Sequence, residues 1–157
     1  MLLRRPGLGA RLISGVLRLP KRSRLRRALV GRSFRIAYEA FSHGDFEAAF
    51  ATLHPNVEWH TPSNFPDAAV LEGRAAVLDW YGRRWTDSWE WWETEAEHIV
   101  DRGDGTIIVR AVTRGRGKAS HIDVELRDID VYEINRGWVV RTRELERGDD
   151  LSSRHLT

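Results

Sequence analysis

The sequence predicts an α+β fold in which a curved, mainly antiparallel sheet wraps around three helices. Apolar residues recur with a helical period over most of residues 34–86 and with a two-residue period from Trp89 onward. Turn-rich segments divide that second half into four consecutive strands. Helices grouped before an antiparallel meander are typical of α+β domains.

The first half of the domain is predicted to hold three helices and one strand. The predicted helices span residues 34–43, 46–53 and 74–86, and the predicted strand spans residues 57–60. Gly44 ends the first helix, and Asp45 can cap the second. Pro55 ends the second helix, and Pro62 closes the strand. Residues 63–71 read as a loop.

The second half is predicted to be a meander of four strands. They span residues 91–100, 106–113, 120–134 and 138–145. Glycine-rich turns at residues 101–105, 114–118 and 135–137 separate them. The chain after Arg147 is polar, and we expect residues 148–157 to fray.

Charge divides the 157-residue chain into two unlike parts. Residues 1–32 contain ten Lys and Arg and no acid, whereas residues 33–157 carry a net charge of −8 from fifteen Lys and Arg and 23 acids. We therefore expect a basic N-terminal arm over residues 1–32, flexible and outside the fold, and an acidic domain over residues 33–147. An acidic domain argues against specific nucleic-acid binding.

The basic arm has three interpretations. Apolar residues fall near helical spacing at Leu8, Leu12, Ile13, Val16 and Leu17, so a short basic amphipathic helix that ends before Pro20 can form and touch anionic lipid or nucleic acid weakly. The second is an Arg-rich, acid-free transit peptide, and the third is a flexible tail. Its apolar runs are too short for a membrane span and its arginines interrupt any secretory signal, so we expect a cytoplasmic protein.

The order of elements and four short stretches resemble the SnoaL-like polyketide cyclase family, within the cone-shaped fold of nuclear transport factor 2 and ketosteroid isomerase. The stretches are Tyr-Glu-Ala-Phe-Ser-His-Gly-Asp at residues 38–45, Leu-His-Pro-Asn-Val-Glu-Trp-His at 53–60, Glu-Gly-Arg-Ala-Ala-Val at 72–77, and Ile-Asp-Val-Tyr-Glu-Ile at 129–134 followed by Gly-Trp-Val-Val at 137–140. The resemblance implies a pocket inside the cone and, commonly, a homodimer.

The resemblance also implies chemistry that needs neither cofactor nor metal. In the cyclase and isomerase branches, an acid or histidine in the pocket moves a proton next to a carbonyl, and a second acid or donor holds the enolate oxygen. The chain contains no cysteine, which excludes thiol nucleophiles, disulfides and thiolate zinc sites. We therefore expect a cyclase or isomerase acting on a small hydrophobic carbonyl compound.

Three residues are candidates for the catalytic groups. Asp130 shares a strand face with Tyr132 and matches the position of the acid that supports the oxyanion in ketosteroid isomerases. His60 ends the first strand, in the region where ketosteroid isomerases carry the aspartate that moves the proton. Glu144 lies where some SnoaL-like cyclases have an acid. For each, the alternative is an exposed position, with the two acids in surface ion pairs.

Five further residues are candidates for substrate binding. Trp59 and Tyr132 are the aromatics expected nearest the cavity, and Trp80 belongs to a set of seven tryptophans that suit either a flat ligand or a core. His121 and Asp123 share one face of the long predicted strand, which faces either the cavity or water.

Two other functions remain open from the sequence. One is a non-catalytic module of the same fold, which binds a small molecule or forms a dimeric scaffold. The other is an epoxide hydrolase, which needs an arginine between two acids in the pocket; Arg141 and Arg143 are the candidates near the last strand.

Overall fold

A computed structural model describes residues 8–61 and 69–146. It confirms the predicted α+β fold: a six-stranded sheet in the order β2-β1-β6-β5-β4-β3 packs against the helices. Only β1 and β6 pair in parallel; the other neighbours are antiparallel. The helices are α1 (Leu8–Leu17), α2 (Arg24–Ser42), α3 (Phe46–Ala49), α4 (Arg74–Trp80) and α5 (Thr86–Ser88), and the strands are β1 (Leu53–His60), β2 (Val70–Glu72), β3 (Trp89–Asp101), β4 (Thr106–Gly117), β5 (Asp123–Asn135) and β6 (Trp138–Glu146).

The N-terminal basic segment is part of the fold over its described residues, contrary to the expected flexible arm. Helix α2 begins at Arg24, and the Ser23 hydroxyl caps it by accepting a hydrogen bond from the Arg26 backbone at 3.3 Å. The expected domain boundary at residue 33 therefore lies inside a continuous helix. The predicted amphipathic helix before Pro20 is α1. Residues 1–7 lie outside the described part of the chain.

Arg26 attaches α1 and α2 to the end of the sheet. Its guanidinium donates to both carboxylate oxygens of Asp101 at 2.6 and 3.0 Å, and both side chains are only 4% exposed. The same guanidinium donates to the carbonyls of Leu17 and Leu19 at 2.8 and 3.1 Å. The Arg26 side chain thus donates hydrogen bonds both to backbone carbonyls at the C-terminus of α1 and to the carboxylate at the end of β3.

The segment around β1 differs from its prediction in length. Helix α3 is a single turn, so β1 starts at Leu53 rather than at Val57. Pro55 sits where the register with β6 shifts, a position that tolerates a missing backbone donor. The edge strand β2 was not predicted, because three residues are too few to show alternation.

Two predicted segments cannot be compared with the structure in full. The expected tail at residues 148–157 and residues 62–68 of the predicted loop lie outside the described part of the chain.

The third predicted helix is confirmed as a composite. Helix α4 continues through a π-helical turn at Tyr81–Trp85 into α5. Both Tyr81 and Trp85 are buried against the core, and such turns are frequent at functional sites. Val77 of α4 is fully buried, together with Val57, Ile107 and Val109 of the sheet. The described residues contain no helix long and apolar enough to cross a membrane.

Candidate functional site

A cavity of about 170 Å³ lies between α2, α3, the π-helical turn and the inner face of the sheet. Its walls are largely apolar and contain a cluster of aromatic rings, whose centroids lie for example 4.9 Å apart in Phe34–Tyr132 and 5.5 Å apart in Phe41–Tyr81. The aromatic lining residues are Phe34, Tyr38, Phe41, Phe50, Trp59, Tyr81, Trp85 and Tyr132. Such a cavity suits a flat hydrophobic ligand.

Two carboxyl groups face each other across neighbouring strands in this cavity. Asp130 on β5 pairs directly with Glu144 on β6, so both side chains point to the inner face and their β-carbons lie about 5 Å apart. Asp130 is 8% exposed, and Glu144 is half-buried. The structure therefore brings together two of the three predicted catalytic residues.

A bulge in the last hairpin sets this alignment. The register of β5 and β6 shifts between Glu133 and Ile134, which leaves Val140 as an extra residue on β6. If Val140 were instead paired with Glu133 in an unbroken register, Arg143 rather than Glu144 would stand opposite Asp130 and point into the cavity. The bulge therefore decides that the cavity receives a second acid.

Asp130 is held by two tyrosines. The Tyr38 hydroxyl on α2 donates a short hydrogen bond to Asp130 and lies 2.9 Å from the hydroxyl of Tyr132. Burial, followed by the charge of nearby carboxylates, raises the pKa of both tyrosines well above the ordinary value, so they stay protonated. Tyr38 and Tyr132 thus form a donor cluster around one carboxyl group.

Glu144 accepts two hydrogen bonds on the same oxygen. The indole nitrogen of Trp59 donates to Oε1 at 2.9 Å, and the Tyr81 hydroxyl donates to it as well. The second oxygen, Oε2, takes part in neither bond. Because both donors come from rigid, buried rings, Glu144 is fixed in its orientation towards the cavity.

Both carboxyl groups titrate near neutral pH. Burial raises the pKa of Asp130 to about 7, with the charge of Asp128 adding to the rise and the hydrogen bonds from Tyr38 and Tyr132 opposing it. Burial, followed by the charge of Asp130, raises the pKa of Glu144 to about 8. The pair therefore releases its two protons in successive apparent steps.

The raised pKa values cost stability. The folded state keeps protons that the unfolded chain releases above about pH 4, so these two carboxyls favour unfolding increasingly as the pH rises towards 8. A buried acid pair that weakens the fold at neutral pH is typical of a functional site. Asp128 also lines the cavity, whereas the described lining residues include no Lys, Arg or His.

His60 is not in the cavity, contrary to its predicted position. Strand alternation turns Trp59 inward, so its neighbour His60 faces outward and pairs with Glu58 on the same outer face. Its side chain is 37% exposed. The structure thus separates the third predicted catalytic residue from Asp130 and Glu144.

Three predicted substrate-binding residues also lie outside the cavity lining. His121 precedes β5 in a turn with a φ of 54° and contacts Glu90, and Asp123 pairs with Arg116 at 3.2 Å on the surface. Trp80 is partly buried and packs against the core, with its ring edge-on to Tyr81 and the centroids 4.7 Å apart. Trp59 and Tyr132 line the cavity as expected.

Two further residues contact the carboxyl pair and were not predicted from the sequence, Tyr38 and Tyr81. Tyr38 and Tyr81 lie within the predicted apolar stripes of their helices, so each reads as a core aromatic. The one available signal is that a buried tyrosine needs a partner for its hydroxyl. Nothing in the local sequence indicates that the partners are Asp130 and Glu144, which lie 92 and 63 residues away.

Described residues contain no cluster of three His, Asp or Glu side chains that could hold a metal ion. The polar side-chain groups of the cavity are carboxyls, hydroxyls and the indole nitrogens of Trp59 and Trp85, which suit hydrogen bonds and proton transfer. The arrangement can take a proton from a ligand and hold a developing negative charge on a ligand oxygen.

Comparison with known proteins supports this description of the fold. A family model described as a SnoaL-like domain matches residues 34–142. The comparison with curated proteins gave no match.

Solved structures share the same architecture at low identity. An NTF2-like protein of unknown function from Burkholderia pseudomallei is 19% identical with a TM-score of 0.64, over 73% of this chain and 87% of that chain. A second structure is that of SalBIII, an epoxide hydrolase/cyclase-like enzyme with a role in pyran ring formation in the polyether salinomycin. It is 19% identical with a TM-score of 0.60, over 81% of this chain and 94% of that chain. A Mycobacterium tuberculosis protein in complex with estradiol-17beta-hemisuccinate is 16% identical with a TM-score of 0.59, over 74% and 90%.

Proposed function

Because the chain belongs to the SnoaL-like domain family, we propose that it is a cofactor-free isomerase or cyclase that transfers protons on a small hydrophobic carbonyl compound. The observation that carries this proposal is the facing carboxyl pair Asp130 and Glu144 in an aromatic cavity. Two acids whose protons leave in separate steps near neutral pH can act as a base and an acid in one site.

Glu144 takes the part of the base. Its free oxygen Oε2 removes a proton from the carbon next to the carbonyl; the electron pair of the C–H bond forms a carbon–carbon double bond, and the π pair of the carbonyl moves to its oxygen. Trp59 and Tyr81 hold the other oxygen and keep the carboxylate aimed at the ligand. This assignment moves the base from His60, which faces away from the cavity, to the last strand.

Asp130 supports the oxygen. The reactive form is the singly protonated pair with its proton on Asp130, which is the minor form because the pKa of Glu144, about 8, lies above the pKa of Asp130, about 7. In this form Asp130 donates a hydrogen bond to the enolate, and Tyr38 and Tyr132 complete the donor cluster. An isomerase then returns the proton from Glu144 to a different carbon. A cyclase instead uses the enolate carbon to attack a second carbonyl carbon of the same molecule, which forms a carbon–carbon bond and closes a ring. The π pair of that second carbonyl moves to its oxygen, which takes the proton from Glu144.

The ligand of this proposal is neutral. The cavity lining holds three acids and, among its described residues, no basic side chain, so an anionic ligand would meet repulsion without a partner. Arg141 and Arg143 form ion pairs with Glu58 and Glu133 on the outer face, which argues against the epoxide hydrolase arrangement. Binding of small molecules by the fold is supported by the steroid-derived ligand of the mycobacterial relative.

The proposal keeps three further expectations from the sequence. The protein is cytoplasmic, binds no specific nucleic-acid sequence, and forms a homodimer, whose mass analytical ultracentrifugation would measure. A non-catalytic module with the same cavity is the alternative function, since an aromatic cavity binds a hydrophobic molecule whether or not chemistry follows.

The test uses β-tetralone, a neutral bicyclic ketone with acidic protons next to its carbonyl. Nuclear magnetic resonance in deuterated water follows the exchange of those protons, and tryptophan fluorescence follows binding. We expect exchange faster than in buffer alone, with a maximum between the two apparent pKa values of about 7 and 8. Saturable binding without accelerated exchange would support the non-catalytic module instead.

A further inference from the structure

One side of helix α1 is unpartnered and carries both charge and apolar surface. Successive helical residues are about 100° apart, which places Arg11, Leu12 and Gly15 on one side. These three residues are exposed, as is Arg18 directly after the helix. The opposite side packs on the domain through Val16 and Leu17. The exposed side is available to a partner.

The surface around this helix is strongly cationic. Residues 8–32 contain no acid, and all their Lys and Arg except Arg26 are exposed. Among the described residues, none of these exposed cations forms an ion pair. They are Arg11, Arg18, Lys21, Arg22, Arg24, Arg27 and Arg32. A cation cluster next to an acidic domain favours an anionic partner.

Large apolar side chains stand exposed among these cations. Leu12 is 61% exposed and Leu25 is 58% exposed. Leu12 and its neighbour Ile13 also line the aromatic cavity, so the cavity reaches the surface beside α1. The cationic surface and the entrance of the cavity are therefore adjacent.

We propose that α1 and the first turns of α2 dock the protein on the surface of an anionic lipid bilayer, with the cavity entrance against the lipid. The cations contact lipid headgroups, and Leu12 enters the boundary between headgroups and acyl chains. A hydrophobic ligand then passes from the bilayer into the cavity without crossing water. This last step rests on the proposed function, whereas docking itself does not.

Lipid fits these observations better than nucleic acid. Phosphates of either partner would neutralise the arginines, but only a bilayer gives the exposed leucines an apolar environment. The described residues of α1 also offer no aromatic side chain on which a base could stack.

Sedimentation with vesicles tests the docking of the full chain. Vesicles contain phosphatidylcholine alone or with about one-third phosphatidylglycerol, at about 0.1 M salt, where charges still interact over about 10 Å. We expect binding to the anionic vesicles to be at least tenfold tighter than to the neutral ones, because the attraction of about two cations to anionic lipid already gives such a factor. Binding should weaken as the salt concentration rises, because salt screens this attraction.

Two charge variants locate the surface. Arg11→Gln combined with Arg18→Gln should weaken binding to anionic vesicles about tenfold. The matched control, Arg110→Gln with Lys118→Gln, removes two exposed cations elsewhere and should bind like the original protein. Equal effects of the two pairs would overturn the proposal.

A fluorescent label tests whether α1 itself touches lipid. The chain has no cysteine, and a β-carbon at Gly15 or Gly82 meets no atom within 4 Å, so each accepts a single cysteine without a clash. An environment-sensitive label on Gly15→Cys should brighten and shift to the blue with anionic vesicles, while the same label on Gly82→Cys should not. No change at residue 15, or the same change at both positions, would contradict docking through α1.

Two comparisons separate this proposal from others. Asp130→Asn and Glu144→Gln should leave vesicle binding unchanged, so docking stands even if the proposed chemistry fails. A single-stranded RNA oligonucleotide that binds more tightly than the vesicles and displaces the protein from them would instead identify nucleic acid as the partner and overturn the proposal.

Discussion

Replacing Glu144 with glutamine is expected to slow the exchange of the β-tetralone protons by at least about 10²-fold, the usual contribution of a positioned base. The amide oxygen of glutamine can still accept the hydrogen bonds from Trp59 and Tyr81, so the shape of the cavity is kept. The amide cannot take up a proton. Binding of the ketone, followed by tryptophan fluorescence, should therefore change little.

The matched control is Glu133→Gln. Glu133 lies on β5 and forms ion pairs with Arg141 and Arg143 on the outer face, away from the cavity. Because neither Glu133 nor its two arginine partners line the cavity, both exchange and binding should stay unchanged. If the two glutamine variants lost the same share of activity, Glu144 would not be the base.

Replacing Arg26 with alanine is expected to lower the free energy of unfolding by about 3–5 kcal/mol. The substitution leaves the Asp101 carboxylate buried without its cation, and it removes donors from the carbonyls of Leu17 and Leu19. Breaking one partner of a buried ion pair costs more than the pair itself contributes, because the remaining charge stays out of water. Denaturation in urea, followed by tryptophan fluorescence, measures the change.

The neighbouring Arg27→Ala provides the control. Arg27 is exposed on the same turn of α2, so its removal should change the free energy of unfolding by less than about 0.5 kcal/mol. Similar losses for both variants would show that Arg26 does not attach the N-terminal helices to the sheet as described.

The order of elements could be predicted because each long element carries its own period. The strands after Trp89 alternate, glycine-rich turns separate them, and a helical stripe marks α2. The start of α2 could not be found in this way, because the segment before residue 33 is dominated by arginines. The burial of Arg26 in the first turn of α2 depends on its ion pair with Asp101, which lies 75 residues further along the chain.

The candidate site was predicted in part for a similar reason. Alternation alone puts Asp130 and Tyr132 on one face of β5, whichever strand lies beside it. Along β1, alternation places Trp59 and His60 on opposite faces but does not say which face lines the cavity. In the structure Trp59 lines it and His60 faces outward. The facing of Asp130 and Glu144 depends on an extra residue in the hairpin, which periodicity does not reveal.

The central claim is that Asp130 and Glu144 form a buried pair of acids that titrates near neutral pH. Carbon-13 nuclear magnetic resonance of labelled side-chain carboxyls tests it directly, with the double variant Asp130→Asn and Glu144→Gln for assignment. We expect two resonances with apparent pKa values of about 7 and about 8 that disappear in the variant. If every carboxyl resonance titrated below about pH 5, as ordinary acids do, the claim would be contradicted.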